Sequence, residues 1–212
     1  KDLKFLKDNL KMCEKAIKYL KKYMENILEE KEQMQVSYDL WEMHEGISLY
    51  SIASIFSAYN SMIKIYGELK EEFTKNRVKQ ENVNKEKEML TEAKLTIKQY
   101  ILKNLYDESK KSFIRNLEDK KMDISILGAV TPFEVFTAKE KKILNTVERI
   151  NMTLRTYTGG YKRFEDDHYR DGKPWVIATL WMANYYIEIG EKQKAKECFD
   201  YVVKTSAKHG FL

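Results

Sequence analysis

Two stretches of the chain hold the residues best equipped for chemistry. One is Tyr38-Asp39-Leu40-Trp41-Glu42-Met43-His44-Glu45-Gly46; the other is Tyr161-Lys162-Arg163-Phe164-Glu165-Asp166-Asp167-His168-Tyr169, running on to Pro174-Trp175. Aromatic planes beside carboxylates and a guanidinium suit a carbohydrate cleft: the rings cover the apolar C–H face of a sugar while the charged groups hydrogen-bond its hydroxyls. Each feature also has a plainer use. A Trp ahead of a helix can serve as a hydrophobic staple, and acids there can complement the helix dipole. His44 and His168 with Asp166 and Asp167 form no ligand set at a standard tetrahedral spacing, and no EF-hand run occurs. Neither a metal nor a cofactor is expected.

The elements that must position these residues follow from hydropathy. The chain has 212 residues, 33% charged and 43% hydrophobic, with 8 Gly and 2 Pro, which favours helices and one sizeable core. Lys plus Arg (38) against Asp plus Glu (33) leaves +5, dispersed rather than massed, so no nucleic-acid partner is implied. Cys13 and Cys198 sit in apolar helical contexts and read as reduced packing residues. Residues 3–27 are amphipathic with a helical period. Residues 46–63 then carry no charge over about five turns. Six Ser and Asn residues make that segment too polar for lipid, so it reads as a buried helix and not a membrane span.

The alternation repeats. Residues 81–105 are amphipathic; Ser112-Phe113-Ile114 reads as a short extended piece; Ile124–Val130 reads as a brief buried helix stopped near Pro132. Residues 139–154 are wet on one face, 174–187 are charge-free with Pro174 suited to a first helical turn, and after the Gly190 stop residues 192–208 are amphipathic again. Outer helices with one solvated face alternating with inner helices touched all round describe an all-α, α/α toroid, in which the inner N-termini share one rim. About seven of twelve helices would be present, so that an inner helix is left with an open apolar flank and a tendency to self-associate.

The motifs YDLWEMHEG with SLYSIASIFSAY, and GGYKRFEDDHYRDGKPWVIATLWMANYY, resemble glycoside hydrolase family 15, the glucoamylases with their glucodextranase and trehalase relatives. The resemblance spans essentially the whole chain. It implies that residues 1–212 are part of one (α/α)6 catalytic domain, cut at both ends, and that the complete protein releases glucose from α-glucans or maltooligosaccharides with inversion. By position, Glu42 is similar to the family's general acid. Asp39 and Trp41 match residues that orient it and line the glucose subsite. Arg163 and Asp167 match the pair that grips sugar hydroxyls, and Trp175 matches the aromatic after the Pro. Tyr38, Glu45 and Asp166 are further candidates. Fungal members carry a second Glu where this chain has Met43. The family's general base lies in a Pro-Glu-Gln run after a segment like His209-Gly210-Phe211-Leu212, beyond this sequence, so residues 1–212 alone are expected to be catalytically silent.

An inverting glycosidase needs a protonated carboxyl on one side of the bond and an ionised one about 6.5–9.5 Å away to activate water. In the complete enzyme Leu40, Trp41 and Met43 are expected to desolvate Glu42 and favour its protonated form, against the pull of a nearby helix N-terminus; in residues 1–212 alone, with the cleft open to water, that effect is expected to weaken. A rival reading is a tetratricopeptide-like interaction module, because Trp181-Met182-Ala183-Asn184-Tyr185-Tyr186, Gly190, Ala195 and Cys198-Phe199 imitate one such repeat. No self-similarity recurs upstream, and a stable stack needs about three repeats. A third reading keeps the toroid and changes the substrate to isomaltose, dextran or trehalose. Localisation is left open.

Overall fold

The computed structural model describes residues 2–29 and 36–205. Seven α-helices among them, joined by two-residue strand pairs and short 3₁₀ turns, run α1 (Leu3–Leu28), β1 (Ser37–Tyr38), β2 (Glu45–Gly46), α2 (Leu49–Glu68), α3 (Lys70–Thr74), α4 (Arg77–Asn104), β3 (Tyr106–Asp107), β4 (Ser112–Phe113), α5 (Lys141–Thr153), α6 (Val176–Ile189) and α7 (Lys192–Thr205). The chain is all-α, an arc of an α/α toroid.

Helix starts follow local chemistry. Asp2, Ser48 and Asn76 cap α1, α2 and α4, each side-chain oxygen accepting from the backbone N–H three residues on. α6 ends at Gly190, whose φ of +88° is the left-handed C-cap that glycine adopts without steric cost. The charge-free run is buried as its composition demands: of residues 49–63, only Ser61 is exposed. Ile52, Ile55, Phe56, Tyr59 and Met62 carry the α2 contribution to a single core. Residues Ile124–Ala129 form a wholly buried 3₁₀ turn that packs against both α2 and α6, completing an inner layer. Outside that layer α1 and α4 cover α2, and α7 covers α6. α5 packs on β4, where Thr146 Oγ1 accepts from the Phe113 N–H at 3.1 Å.

Three expectations need correction. The dry helix begins at Leu49 and not at residue 46, because Glu45-Gly46 pairs with Ser37-Tyr38 as an antiparallel strand and Ser48 is the cap. Pro174 is not in the first turn of α6; Trp175 is its N-cap and Pro174 stands outside the helix. The α2 helix also runs on to Glu68 and is followed by the short α3. Residues 206–208, expected to end the last helix, and the His209–Leu212 segment lie outside the described residues. Among the described residues no helix is long and apolar enough to cross a membrane. Cys13 and Cys198 are both free, and burial pushes the Cys198 thiol up to about 11.

Candidate active site

The first motif is a hairpin. β1 and β2 pair through Tyr38 and Glu45, and the six residues between them turn back on themselves, with the Asp39 N–H donating to the His44 carbonyl at 2.8 Å. Glu42 lies in this turn with φ +56°, a left-handed conformation that costs a non-glycine residue about 1–2 kcal/mol and persists only if its surroundings impose it. Asp39 supplies that constraint. One carboxylate oxygen accepts the N–H groups of both Trp41 and Met43, on either side of Glu42, each at 3.0 Å, and the other meets His44 Nδ1 at 2.7 Å. Glu42 is thereby displayed at the surface. Leu40 and Met43 are themselves exposed, and Trp41 is half-buried.

The second motif is a clamp. Arg163 donates through Nε and a terminal nitrogen to the two oxygens of Asp167, both at 2.8 Å, a bidentate pair. Burial pushes the Asp167 carboxyl up, but the Arg163 bonds outweigh it and hold the group below its ordinary value; the same bonds raise Arg163. The guanidinium carbon lies 4.2 Å from the Trp175 ring centroid, 5.7 Å from that of Trp41 and 5.6 Å from that of Tyr169. Trp41 belongs to the segment before α2 and Trp175 caps α6, so the starts of the two inner helices meet around one cation. Tyr50, in the first turn of α2, and Trp181 of α6 pack ring to ring at 6.0 Å behind them.

The lesser candidates are placed differently. Tyr38 is exposed, and its hydrogen bond with Glu45 raises the phenol. Asp166 is committed to Arg115 and Lys121; although burial opposes it, these partners lower its carboxyl to about 2. Among the described residues no cluster of three or more His, Cys, Asp or Glu is arranged to hold a metal. His44 is engaged by Asp39 and meets Phe164 edge-on at 4.9 Å.

Two buried residues outside both motifs, Asp123 and Arg115, join the site, and so does Tyr169 of the second motif. Asp123 is buried and accepts the Trp41 indole N–H at 3.1 Å on both oxygens. Arg115, also buried, pairs with Asp119 and Asp166 and stacks 5.3 Å from Phe164, bracing the second motif from behind. Tyr169 stands half-exposed, 5.3 Å from Trp175, at the start of a left-handed turn through Arg170, Asp171 and Gly172. A carboxylate at the head of an apolar run marks Asp123 in the sequence, but that signal indicates a turn cap and not a partner for Trp41.

The helical-toroid glycoside hydrolases are the class to which this architecture corresponds. Within it the chain belongs to glycosyl hydrolases family 15, whose model matches residues 4–209. It is 28% identical over 220 residues to an uncharacterized glycosyl hydrolase of Methanocaldococcus jannaschii, covering 97% of this chain and 33% of that protein. It is 31% identical over 112 residues to trehalase 1 of Sulfolobus acidocaldarius, covering 52% of this chain and 19% of that one. A solved glycosidase in complex with glucose has the same fold, with a TM-score of 0.65 at 15% identity, covering 82% of this chain and 43% of that one. The chain thus spans about a third or less of the curated relatives it matches. The α6–α7 hairpin that imitates a tetratricopeptide repeat is part of this toroid.

Proposed function

We propose that the protein to which residues 1–212 belong is an exo-acting, inverting glucosidase that hydrolyses α-glucosidic bonds of starch-like oligosaccharides and releases glucose. Residues 1–212 form part of its catalytic domain. Glu42 delivers the proton to the leaving oxygen; Asp39 fixes its turn; Trp41, Trp175 and the Arg163–Asp167 pair form the glucose subsite, with Tyr38 and Glu45 at its edge. The carboxylate that activates water comes from outside residues 1–212.

The observation that carries this reading is the meeting of the two motifs around Arg163, within 5.7 Å of Trp41 and 4.2 Å of Trp175. A planar cation held flat by Asp167 between two indoles presents hydrogen-bond donors at fixed angles beside apolar faces, the combination a pyranose needs. Glucose release from maltose by the full-length protein tests it. Glu42→Gln should lower kcat by about 10³-fold, as loss of a general acid does. Full activity in that variant removes Glu42 from the role, and glucose release by purified residues 1–212 alone refutes the external base.

A second reading, cleavage of trehalose, is favoured by the identity to the Sulfolobus acidocaldarius trehalase. Both substrates place a glucosyl unit in the same first subsite, so comparing kcat/KM on maltose, isomaltose and trehalose decides between them.

A further inference from the structure

We propose that Asp123 is a positioning residue for the acid-bearing hairpin: its carboxylate fixes the Trp41 indole, and through it the adjacent Glu42, against the Arg163–Asp167 pair. This rests on Glu42 being the proton donor. Asp39 sets the internal shape of the turn but not its place on the molecule, since its side-chain partners all lie within residues 41–44. The bond from the Trp41 indole to Asp123 reaches 82 residues along the chain and ties the hairpin to the toroid. Trp41 is thus gripped twice, by Asp39 at its backbone N–H and by Asp123 at its ring N–H, and Glu42 is the next residue.

Asp123 is itself anchored to the other motif. Its backbone bridges Phe164, and the N–H of the next residue, Ile124, donates to the Arg163 carbonyl at 2.8 Å. One residue therefore registers the hairpin and the clamp to each other. The charged groups that face it are Asp39 and Arg163. The neutral donors are Trp41 and Ser125, whose N–H it accepts at 2.7 Å as the cap of the 3₁₀ turn.

That capping bond supplies the control, because a purely structural role would need nothing more. Asp123→Ser retains a capping oxygen but is too short to reach the indole. In the full-length protein it should lower kcat on an α-glucoside by about tenfold while KM stays within about twofold, the pattern of lost alignment and not of lost binding. The Trp41 indole N–H proton resonance should move upfield. Asp123→Asn, which keeps a longer acceptor, should recover part of the rate. In a Trp41→Phe background the Asp123→Ser substitution should have no further effect, since the two act through one bond. An unchanged kcat in folded Asp123→Ser, or the same loss in the Trp41→Phe background, overturns the proposal. Wild-type protein that cleaves no α-glucoside sinks the hydrolase reading instead. The proposal is then judged by the indole and residue 39–44 amide resonances alone, and their failure to move in Asp123→Ser overturns it.

Discussion

Asp123 shows how burial sets charge in this site. Asp123 is fully enclosed; burial raises its carboxyl to about 6, and nearby Asp39 adds to the rise while the Ser125 and Trp41 bonds oppose it. A folded-state value above the unfolded one means that the neutral acid is the form the fold prefers. The stabilisation is therefore complete below about pH 4 and is lost as pH rises through about 6. The rise from 3.8 to about 6 corresponds to about 3 kcal/mol. Asp123→Asn removes this titration, so its stability relative to wild type should improve by up to that amount between pH 4 and 7, as urea unfolding at several pH values would show. The opposite-signed contributions of Asp166 and Asp167, present above their unfolded values and lost in acid, cancel in that difference. Arg163→Lys keeps the charge but loses the two parallel bonds and the flat stacking surface. Maltose binding followed by tryptophan fluorescence should weaken by about tenfold or more. Equal affinity would mean that only the point charge matters.

At the level of elements, the strand pair before α2 depends on a glycine. Gly46 has φ +147°, a region open to few side chains, and a Cβ there would drive into the Glu118 carboxylate, which accepts the Ile47 N–H at 3.1 Å. Gly46→Ala should destabilise the chain by about 2 kcal/mol or more, whereas Ser48→Ala, two residues on, should cost about 1 kcal/mol for the lost cap. Thermal unfolding of the pair separates strain from capping. These neighbours also mark the limit of what the sequence disclosed. α2 and α6 were legible because charge-free runs of that length have nowhere to go but inside, and Gly190 and the buried 3₁₀ turn were legible from local chemistry. The hairpin was not, since two-residue strands show no alternation and nothing in a Glu announces positive φ. Trp41, Arg163 and Trp175 were recognisable by type and motif. Asp123 was not, because its partner lies 82 residues away and the bond between them exists only once the inner layer has assembled.

On the scale of the molecule, the two inner helices differ in what covers them. α2 has α1 and α4 outside it and the 3₁₀ turn beside it, whereas α6 has α7 and the same turn. Along α6, Ile177, Asn184 and Ile187 face water, with Ile177 and Ile187 more than half exposed. These positions recur at helical spacing on one stripe. On α7, Phe199 and Val203 stand one residue beyond the buried Cys198 and Val202 and are likewise exposed. Among the described residues α6, without charge from Val176 to Ile187, is an inner helix with an isoleucine stripe that no neighbour covers, and apolar surface of this kind associates. Residues 1–212 produced alone should therefore self-associate as concentration rises, in sedimentation velocity at moderate salt. Ile187→Glu should shift the distribution toward monomer without lowering the unfolding midpoint, because an exposed side chain contributes little to the fold's own packing. Val78→Glu, at an exposed apolar position on the outer helix α4, should leave the distribution where it was. Monomer at every concentration would mean that the flank is tolerated in water, and equal responses to the two substitutions would assign the association to net charge and not to this stripe.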